Sequence, residues 1–403
     1  MSGLQEQVEH DAAAAHAAVA ALSDDGVARA LARAAELVRA RRDPIAAANQ
    51  ADVAAATLDA GALDRLRLDE ARIGALAEQL GQLSELPPLE RAVDAWTLAN
   101  GLHVETRRIP VGAVGANFEA RPNVAVDVAG QLLKSLNAAV LRTGGAALRT
   151  VTVLVDEVLR PALAQEGLPP QAVGLVRSPE REGARILVSL PRLLPLVILR
   201  GSGETTAALA AEAARHGVRT LAHAEGGGVL YLHAAADPEK ADALVEASLD
   251  RLGVCNRLNL LLVAREEQVP RDLLRRLGIA IREPPRLGHE WANDEDPENV
   301  RSITVRVIGT LEEALALANE ETSGLAASIV TEDEAAARRF LDGYRGTAAY
   351  WNASTRFTDG YALTGAPETG INVDRVPGPR GPVTYRDLWL RQFRVVGDGF
   401  EHR

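Results

Sequence analysis

Cys255 is the one cysteine in the 403-residue chain, and it is the first candidate for covalent chemistry. It lies in the segment LDRLGVCNRLNLLLV, between a predicted amphipathic helix and an apolar strand. A cysteine thiolate attacks an activated carbonyl when cationic neighbours, a helix N-terminus or nearby backbone donors lower its pKa. A lone cysteine is also often a small buried apolar residue. The position of Cys255 alone therefore leaves both interpretations open.

A short glycine turn is the second candidate for chemistry. Gly201, Ser202 and Gly203 follow the apolar strand LVILR and precede a predicted helix. Backbone amides at a helix N-terminus beside glycine can bind a pyrophosphate. Many such turns only permit tight backbone geometry, so this motif by itself does not identify a pyrophosphate site.

These residues are set among alternating strands and helices. Apolar strands and amphipathic helices alternate from residue 109 to 233 and again from 238 to 350, a pattern that predicts α/β domains with mainly parallel sheets. The first 60 residues have helical periodicity, and a second amphipathic helix is predicted around residues 69–83. Asn100-Gly101 between alternating segments predicts a β-hairpin over 94–109. We expect this hairpin and a terminal strand, 388–396, to join edges between subunits.

Composition excludes several classes of function. The net charge of −11, without a basic block, argues against nucleic acid and anionic membranes as partners. No apolar run is long enough to span a membrane, and the N-terminal residues lack a secretion signal. One cysteine cannot form an internal disulfide, which indicates a reducing, cytoplasmic location. The eight histidines are not spaced as metal ligands, so we expect no metal.

Longer segments carry a family resemblance. They are NGLHVETRRIPVG (100–112), PVGAVGANFEARPNVAVDVAGQLLKSLNAAVLRTGG (110–145), AEGGGVLYLH (224–233), GVCN (253–256) and NASTRFTDG (352–360). In this order they resemble the gamma-glutamyl phosphate reductase family, a branch of the aldehyde dehydrogenase superfamily. The resemblance implies an aldehyde dehydrogenase-like α/β fold of two three-layer domains, one of them a variant Rossmann domain, with a protruding β-hairpin.

The resemblance also implies a division of labour along the chain. Residues 1–93 and 110–228 would bind the cofactor, and residues 229–350 would form the catalytic cysteine domain. Residues 94–109 and 386–403 would form an oligomerisation element, and residues 351–385 would return to line the active site. A homodimer or homotetramer is expected.

Two residues would then perform catalysis. Cys255 would be the nucleophile, and Asn123 would direct its side-chain amide at the thioester oxygen. Together with the backbone N–H of Cys255, that amide would form an oxyanion hole. Alternatively, Asn123 would cap the helix that follows it.

The cofactor implied is NADP(H). Arg142 occupies the position at which the superfamily uses a lysine near the adenosine ribose, and an arginine there suits a 2′-phosphate. Gly201, Ser202 and Gly203 would bind the pyrophosphate. Lys134 would be a further cofactor contact, or a lysine on the helix surface.

The substrate implied is a small anionic acyl phosphate. Ser354, Thr355 and Arg356 would bind its phosphate or α-carboxylate. Arg121 would do the same, or would pair with Glu119 or Asp127. One departure from the family stands out, because Leu136 replaces the usual glycine.

The residue that separates reduction from oxidation is predicted to be His223, which we group with the substrate-binding residues. Oxidising aldehyde dehydrogenases have at this position a glutamate that activates water, whereas the phosphate reductases resemble this chain in having histidine. His223 could equally be structural, and Glu225 nearby could act as a base. The implied activity is NADPH-dependent reduction of L-glutamyl 5-phosphate to L-glutamate 5-semialdehyde in proline biosynthesis. The alternatives are a reductase of another acyl phosphate, an NAD(P)-dependent aldehyde oxidiser, and a non-catalytic relative.

Overall fold

The chain divides into two units, each with a parallel sheet of its own. The computed structural model describes residues 3–58, 60–201, 203–223, 226–250, 254–282, 301–375 and 378–399. Unit 1 contains residues 1–223, 366–370 and 383–403, and unit 2 contains residues 224–365 and 371–382.

The helices, numbered in chain order, are α1 (Gly3–Ala18), α2 (Asp24–Ala40), α3 (Arg42–Ala55), α4 (Ala60–Leu66), α5 (Glu70–Glu85), α6 (Pro122–Lys134), α7 (Leu148–Val153), α8 (Arg160–Gln165), α9 (Arg181–Leu187), α10 (Gly203–His216), α11 (Pro238–Ser248), α12 (Arg271–Arg276), α13 (Leu311–Glu320), α14 (Glu334–Gly343) and α15 (Gly360–Thr364). Between α7 and α8 the chain remains helical through a π-helical segment, Leu154–Leu159.

The strands are β1 (Ala92–Thr97), β2 (His103–Pro110), β3 (Ala113–Phe118), β4 (Ala138–Thr143), β5 (Val173–Leu175), β6 (Leu196–Arg200), β7 (Arg219–His223), β8 (Gly228–Leu232), β9 (Leu258–Val263), β10 (Ala280–Arg282), β11 (Ser302–Val307), β12 (Ala326–Val330), β13 (Ala348–Trp351), β14 (Gly370–Asn372), β15 (Gly381–Val383) and β16 (Trp389–Val396).

Local signals explain where the helices of unit 1 begin and which face they bury. The Ser23 side chain accepts a hydrogen bond from the Gly26 amide at the start of α2, and Asp69 caps α5 in the same way. Val27, Leu31 and Val38 on one face of α2 are buried, as their helical spacing predicts. The predicted helices at both positions are confirmed.

The parallel sheet of unit 1 creates a crevice for a ligand. Its strand order is β5-β4-β3-β6-β7, and all neighbours are parallel. Every residue of β3 and β4 is buried, so both faces of these strands are covered. From β3 the chain continues to β4 and β5 on one side, and later to β6 and β7 on the other side. In sheets of this type ligands bind outside the carboxyl ends of the strands at such a switch point.

Unit 2 contains a second parallel sheet, with strand order β10-β11-β9-β8-β12-β13. The α/β class predicted from the alternating pattern is therefore confirmed.

The sequence did not indicate β7, β10, β13 or α9. These elements are short, and the three strands lie at sheet edges, where a strand is only partly buried and its apolar pattern is weak.

A three-stranded antiparallel sheet belongs to unit 1. The predicted hairpin is confirmed: β1 and β2 pair around the turn at Asn100-Gly101, where Gly101 has φ +94°. The terminal strand β16 pairs along the whole of β2 within the same chain. β2 thus has strand partners on both sides within one chain, and the predicted joining of edges between subunits stays a prediction. The outer edges of the sheet are β1 and β16.

Leu136 closes α6 with a left-handed backbone. Its φ is +61°, and the amides of Leu136 and Asn137 donate to the carbonyls of Leu133 and Leu132. This is the helix ending that normally favours glycine. At position 136 the chain therefore has a leucine in a backbone conformation that favours glycine, the residue expected here from the family resemblance. The leucine side chain is partly buried and packs against the core of unit 1.

None of the described helices is long and apolar enough to cross a membrane. Among the same residues, no group of three or more histidine, cysteine, aspartate or glutamate side chains is placed to hold a metal ion.

Candidate active site

The candidate nucleophile of unit 2 lies in a tight turn before β9. Cys255 is partly buried, and its side chain packs against an apolar cluster that includes Leu325 and Ile371. Its carbonyl oxygen accepts a hydrogen bond of 2.7 Å from the Gly227 amide. A Cβ atom at Gly226 would lie 2.7 Å from both Cβ and the carbonyl oxygen of Cys255. The glycine run thus allows the backbone to approach and support the cysteine.

We expect Gly226→Ala to damage this support. The added methyl group would overlap the Cys255 backbone, so the turn must move, and overpacking of this kind destabilises proteins by about 1–3 kcal/mol. The denaturation midpoint should fall, and turnover should fall with it. Gly74→Ala is the matched control, because Gly74 is exposed within α5 and a Cβ atom added there would have no neighbour within 4 Å. Equal behaviour of the two variants would contradict the proposed close approach.

Two of the predicted substrate-binding residues point inward. Ser354 and Thr355 are buried. The Ser354 hydroxyl lies 2.8 Å from the Ser248 hydroxyl, and the Thr355 hydroxyl donates to the carbonyl of Asn256. Thr355 therefore ties the segment to the cysteine turn, and Ser354 ties it to the end of α11. Both hydroxyls have protein partners, and their contact with substrate stays a prediction.

Asn256 also joins the cysteine turn to the segment 354–358, and it is not among the residues predicted from the sequence. Its amide nitrogen donates to the carbonyls of Arg356 and Thr358, at 3.0 and 2.9 Å. Its side-chain oxygen accepts from Arg356 Nη1. Its position directly after Cys255 was a sequence signal for a role at the site, but asparagine is also common in turns that have no such role.

Arg356 retains access to solvent. Its side chain is 21% exposed and forms an ion pair with Asp250, with Nε 2.7 Å from the carboxylate. Of the three predicted substrate contacts in this segment, Arg356 is the one whose side chain could still meet an anion from solution.

Unit 1 contains a cavity of about 930 Å³, within the size range of small-molecule sites. It is lined by residues at or after the carboxyl ends of β3, β4, β5 and β6, which is where the switch point of the sheet predicts a ligand. Its polar and glycine lining residues are Asn117, Glu119, Arg142, Gly144, Gly145, Arg181, Arg185, Glu204, Thr205, Glu212 and Arg215.

Arg142 is a predicted cofactor residue that lies in this cavity. It is buried, donates to the Asn117 side-chain oxygen, and donates to the carbonyls of Pro179 and Glu180. Burial lowers its pKa, Glu119 opposes this effect, and Arg181 adds to it. Its Nε is buried without a hydrogen-bond partner in the described part of the chain. The guanidinium is therefore held rigidly, with one donor unmatched by protein.

Two further arginines of the cavity were missed. Arg181 and Arg185 are exposed residues of α9 that line it. Their spacing of four residues places them on one face of the helix. The spacing was visible in the segment REGARIL, but α9 itself was not predicted.

The glycine turn is only partly within the described residues. A Cβ atom at Gly201 would lie 3.1 Å from the Glu119 carboxyl group, so this glycine permits a close approach. Gly203 is the first residue of α10, whose next residues, Glu204 and Thr205, line the cavity. Ser202 lies outside the described residues.

Asn123 is the second residue of α6. Its Nδ2 donates to Asp127 Oδ2 across 3.1 Å, one helical turn further on. The N-cap residue of α6 is Arg121 and no side-chain bond caps the helix. The alternative role of Asn123 as a cap therefore has no support in this geometry.

The other predicted residues are placed as follows. Arg121 is partly buried at the start of α6. Lys134 is buried, does not line the cavity, and donates to the carbonyl of Ser84 across 3.2 Å; burial lowers its pKa. The burial of Lys134 contradicts the alternative that it is a lysine on the helix surface. No contact of Lys134 with the described residues supports a role in cofactor binding.

His223 ends β7, and neither its side chain nor Glu225 is among the described parts of the chain.

Comparisons with known proteins agree on one family. Residues 2–296 and 303–381 match the model of the aldehyde dehydrogenase family. A gamma-glutamyl phosphate reductase of Clavibacter michiganensis subsp. michiganensis is 40% identical over 378 residues, which covers 89% of this chain and 86% of that relative. A protein of the same name from Rhodospirillum rubrum is 34% identical over 388 residues, covering 92% and 90%.

A solved structure agrees as well. The crystal structure of gamma-glutamyl phosphate reductase from Thermotoga maritima superposes with a TM-score of 0.88 at 28% identity, covering 98% of this chain and 100% of that one. The aldehyde dehydrogenase-like fold implied by the sequence motifs is thereby confirmed.

Proposed function

The chain belongs to the aldehyde dehydrogenase family, and we propose that it reduces L-glutamyl 5-phosphate to L-glutamate 5-semialdehyde and phosphate with NADPH. The name shared by relatives that match most of the chain supports this reaction and its place in proline biosynthesis. The structural observation that carries the proposal is the position of Cys255, a partly buried residue whose backbone is approached closely by the glycine run. A biosynthetic enzyme of this kind would work in the cytoplasm.

In the proposed reaction the Cys255 thiolate attacks the acyl carbon. The bond from that carbon to the phosphate oxygen breaks, phosphate leaves, and a thioester to Cys255 forms. NADPH, when bound, supplies the hydride that reduces this thioester. The resulting hemithioacetal releases the aldehyde and returns the thiolate. The Asn123 amide and the Cys255 N–H would stabilise the oxyanion on each side of the hydride step.

The residues of unit 1 fit a phosphorylated dinucleotide. The cavity lies at the carboxyl ends of the strands, and residues at the start of α10 line it. Arg142 Nε, which has no hydrogen-bond partner among the described residues, is a donor for an anionic group. Arg142, Gly201 and Gly203 would hold the ribose and phosphates. Arg181 and Arg185 would add positive charge for the 2′-phosphate.

We expect the double variant Arg181→Ala, Arg185→Ala to raise KM for NADPH by about tenfold, because a charge-assisted contact to a phosphate is lost. KM for NADH should change far less, since NADH lacks the 2′-phosphate. Initial rates with each cofactor measure this difference. The double variant Arg275→Ala, Arg276→Ala is the matched control, because both arginines are exposed on α12 of unit 2. An equal effect on both cofactors would show that these arginines do not recognise the 2′-phosphate.

The substrate is proposed to be a small anion held by arginine. Arg356 is partly exposed in unit 2, and Arg121 precedes Asn123 in unit 1. Arginine binds carboxylate and phosphate groups in a bidentate manner. We assign these two residues to the two anionic groups of the substrate, its phosphate and its α-carboxylate.

The proposed function is tested by the reverse reaction. Purified protein, NADP, phosphate and glutamate 5-semialdehyde should produce NADPH, and a panel of other aldehydes should produce much less. Phosphate-independent NADPH formation would instead identify an aldehyde oxidiser. A preference for another aldehyde in the presence of phosphate would identify a reductase of a different acyl phosphate.

We also propose a homo-oligomer, a dimer or tetramer, assembled through the three-stranded sheet. Its surface exposes large apolar residues, including Trp96 and Phe393, whose rings meet edge to face at 6.3 Å. Exposed apolar patches of this kind favour protein contacts. The double variant Trp96→Glu, Phe393→Glu should shift the molar mass in light scattering to a smaller species, whereas Val307→Glu in unit 2 should not. A wild-type protein that is a monodisperse monomer would contradict this proposal.

A further inference from the structure

Asp127 is a buried acid that the proposed reaction does not yet use. It lies on α6, one turn after Asn123, and its Oδ2 accepts the 3.1 Å hydrogen bond from Asn123 Nδ2. Its second oxygen, Oδ1, is fully buried and has no hydrogen-bond partner in the described part of the chain. A buried unpaired carboxylate oxygen is unfavourable for stability, so packing gives no reason for an acid here.

Two other charged groups act on this carboxyl from the elements around it. Arg200 at the end of β6 favours its ionised form, and Glu368 in the 366–370 segment opposes ionisation. Burial has the largest effect, and the pKa of Asp127 is raised to about 7. Near neutral pH the carboxyl is therefore present in both its neutral and its ionised form.

The hydrogen bond constrains the Asn123 amide. An asparagine side chain can present either its oxygen or its NH₂ group to a neighbour. An acceptor at Asp127 Oδ2 selects the NH₂ group, which keeps one N–H on Asp127 and leaves the other N–H to donate elsewhere. Without that acceptor the amide could rotate and present its oxygen to a negative charge, which would be repulsive.

We propose that Asp127 is a positioning residue, which holds the Asn123 side chain so that its second N–H faces the oxygen that becomes negative during the reaction. This inference rests on the proposed function, in which Asn123 stabilises the oxyanion. Asp127 itself does not touch the substrate.

The charge of Asp127 matters as well as its hydrogen bond. An ionised carboxylate one hydrogen bond away from the Asn123 amide opposes the formation of an oxyanion, whereas a neutral carboxyl does not. As the pH rises through the raised pKa of Asp127, the ionised form replaces the neutral one. The contribution of Asn123 should therefore weaken with rising pH across neutrality.

The test compares Asp127→Ala with Asp127→Asn in the reverse assay. The alanine variant lacks the acceptor and should lose about tenfold in kcat with little change in KM, as expected for one lost hydrogen bond. The asparagine variant retains an acceptor oxygen without a charge, and should remain within about threefold of the wild type, in line with a preserved hydrogen bond. A merely structural acid would not confine the loss to kcat, nor make the ratio of wild-type to asparagine-variant kcat depend on pH.

The pH profile keeps the proposal testable if the alanine variant fails to fold. The ratio of wild-type kcat to Asp127→Asn kcat should fall as the pH rises from 6 to 8, and this ratio cancels the ionisation of Cys255 common to both proteins. A constant ratio, an asparagine variant as impaired as the alanine variant, or an unimpaired alanine variant would each overturn the proposal. Failure of the proposed function is distinguishable, because the wild-type protein itself would then be inactive.

Discussion

Replacing Cys255 by serine is expected to abolish phosphate-dependent oxidation of glutamate 5-semialdehyde, with a loss on the order of 10⁴-fold or more in kcat, as for other catalytic nucleophiles. A serine hydroxyl is not ionised near neutral pH, and the chain would have no thiolate to form the thioester. NADPH formation measured at saturating substrates reports the loss. NADP binding, measured by calorimetry, should be unchanged, because the cavity of unit 1 does not include Cys255.

The control for this experiment is the reactivity of the wild-type thiol. Iodoacetamide should modify Cys255 quickly at neutral pH, since the residue is partly accessible, and prior incubation with an aldehyde substrate should slow the modification. A slowly reacting thiol would favour a non-catalytic relative of the family. Near-normal turnover of the serine variant would remove the cysteine from the mechanism altogether.

Asn123→Ala is expected to lower kcat by about 100- to 1000-fold, the usual effect of losing one oxyanion-hole donor. KM for the aldehyde should change little, because the proposed hydrogen bond strengthens only as negative charge develops on the reacting oxygen. Steady-state kinetics in the reverse direction separate the two constants.

Two measurements on this variant distinguish a lost donor from a damaged protein. The rate at which iodoacetamide modifies Cys255 should match that of the wild type, since the alanine change leaves the thiol intact. Stability should fall by no more than about 1–3 kcal/mol, because the hydrogen bond lost among the described residues is the one from Asn123 to the buried carboxyl group of Asp127. A fall in activity confined to KM, or matched by slower alkylation, would contradict the assignment of Asn123 to the oxyanion.

Sequence patterns predicted the parts of the fold that depend on neighbouring residues in the chain. The apolar face of α2, the turn at Asn100-Gly101 and the buried central strands follow from spacings of a few residues. The elements that escaped prediction, such as α9 and the edge strand β7, are short and partly exposed. Such elements are held by tertiary contacts, and these leave little trace in a short window of sequence.

The sequence by itself determined the candidates for the chemistry: one thiol, an amide in EARPN and an arginine near the end of β4, together with an α/β framework to carry them. The tertiary structure decided which of these side chains are available. It turned Ser354 and Thr355 inward, buried Lys134, brought Arg181 and Arg185 to the cavity, and left an oxygen of Asp127 buried without a partner in the described part of the chain. The physical reason is that burial and hydrogen-bond partners depend on residues far apart in the chain, so exposure and charge state are set only once the chain has folded.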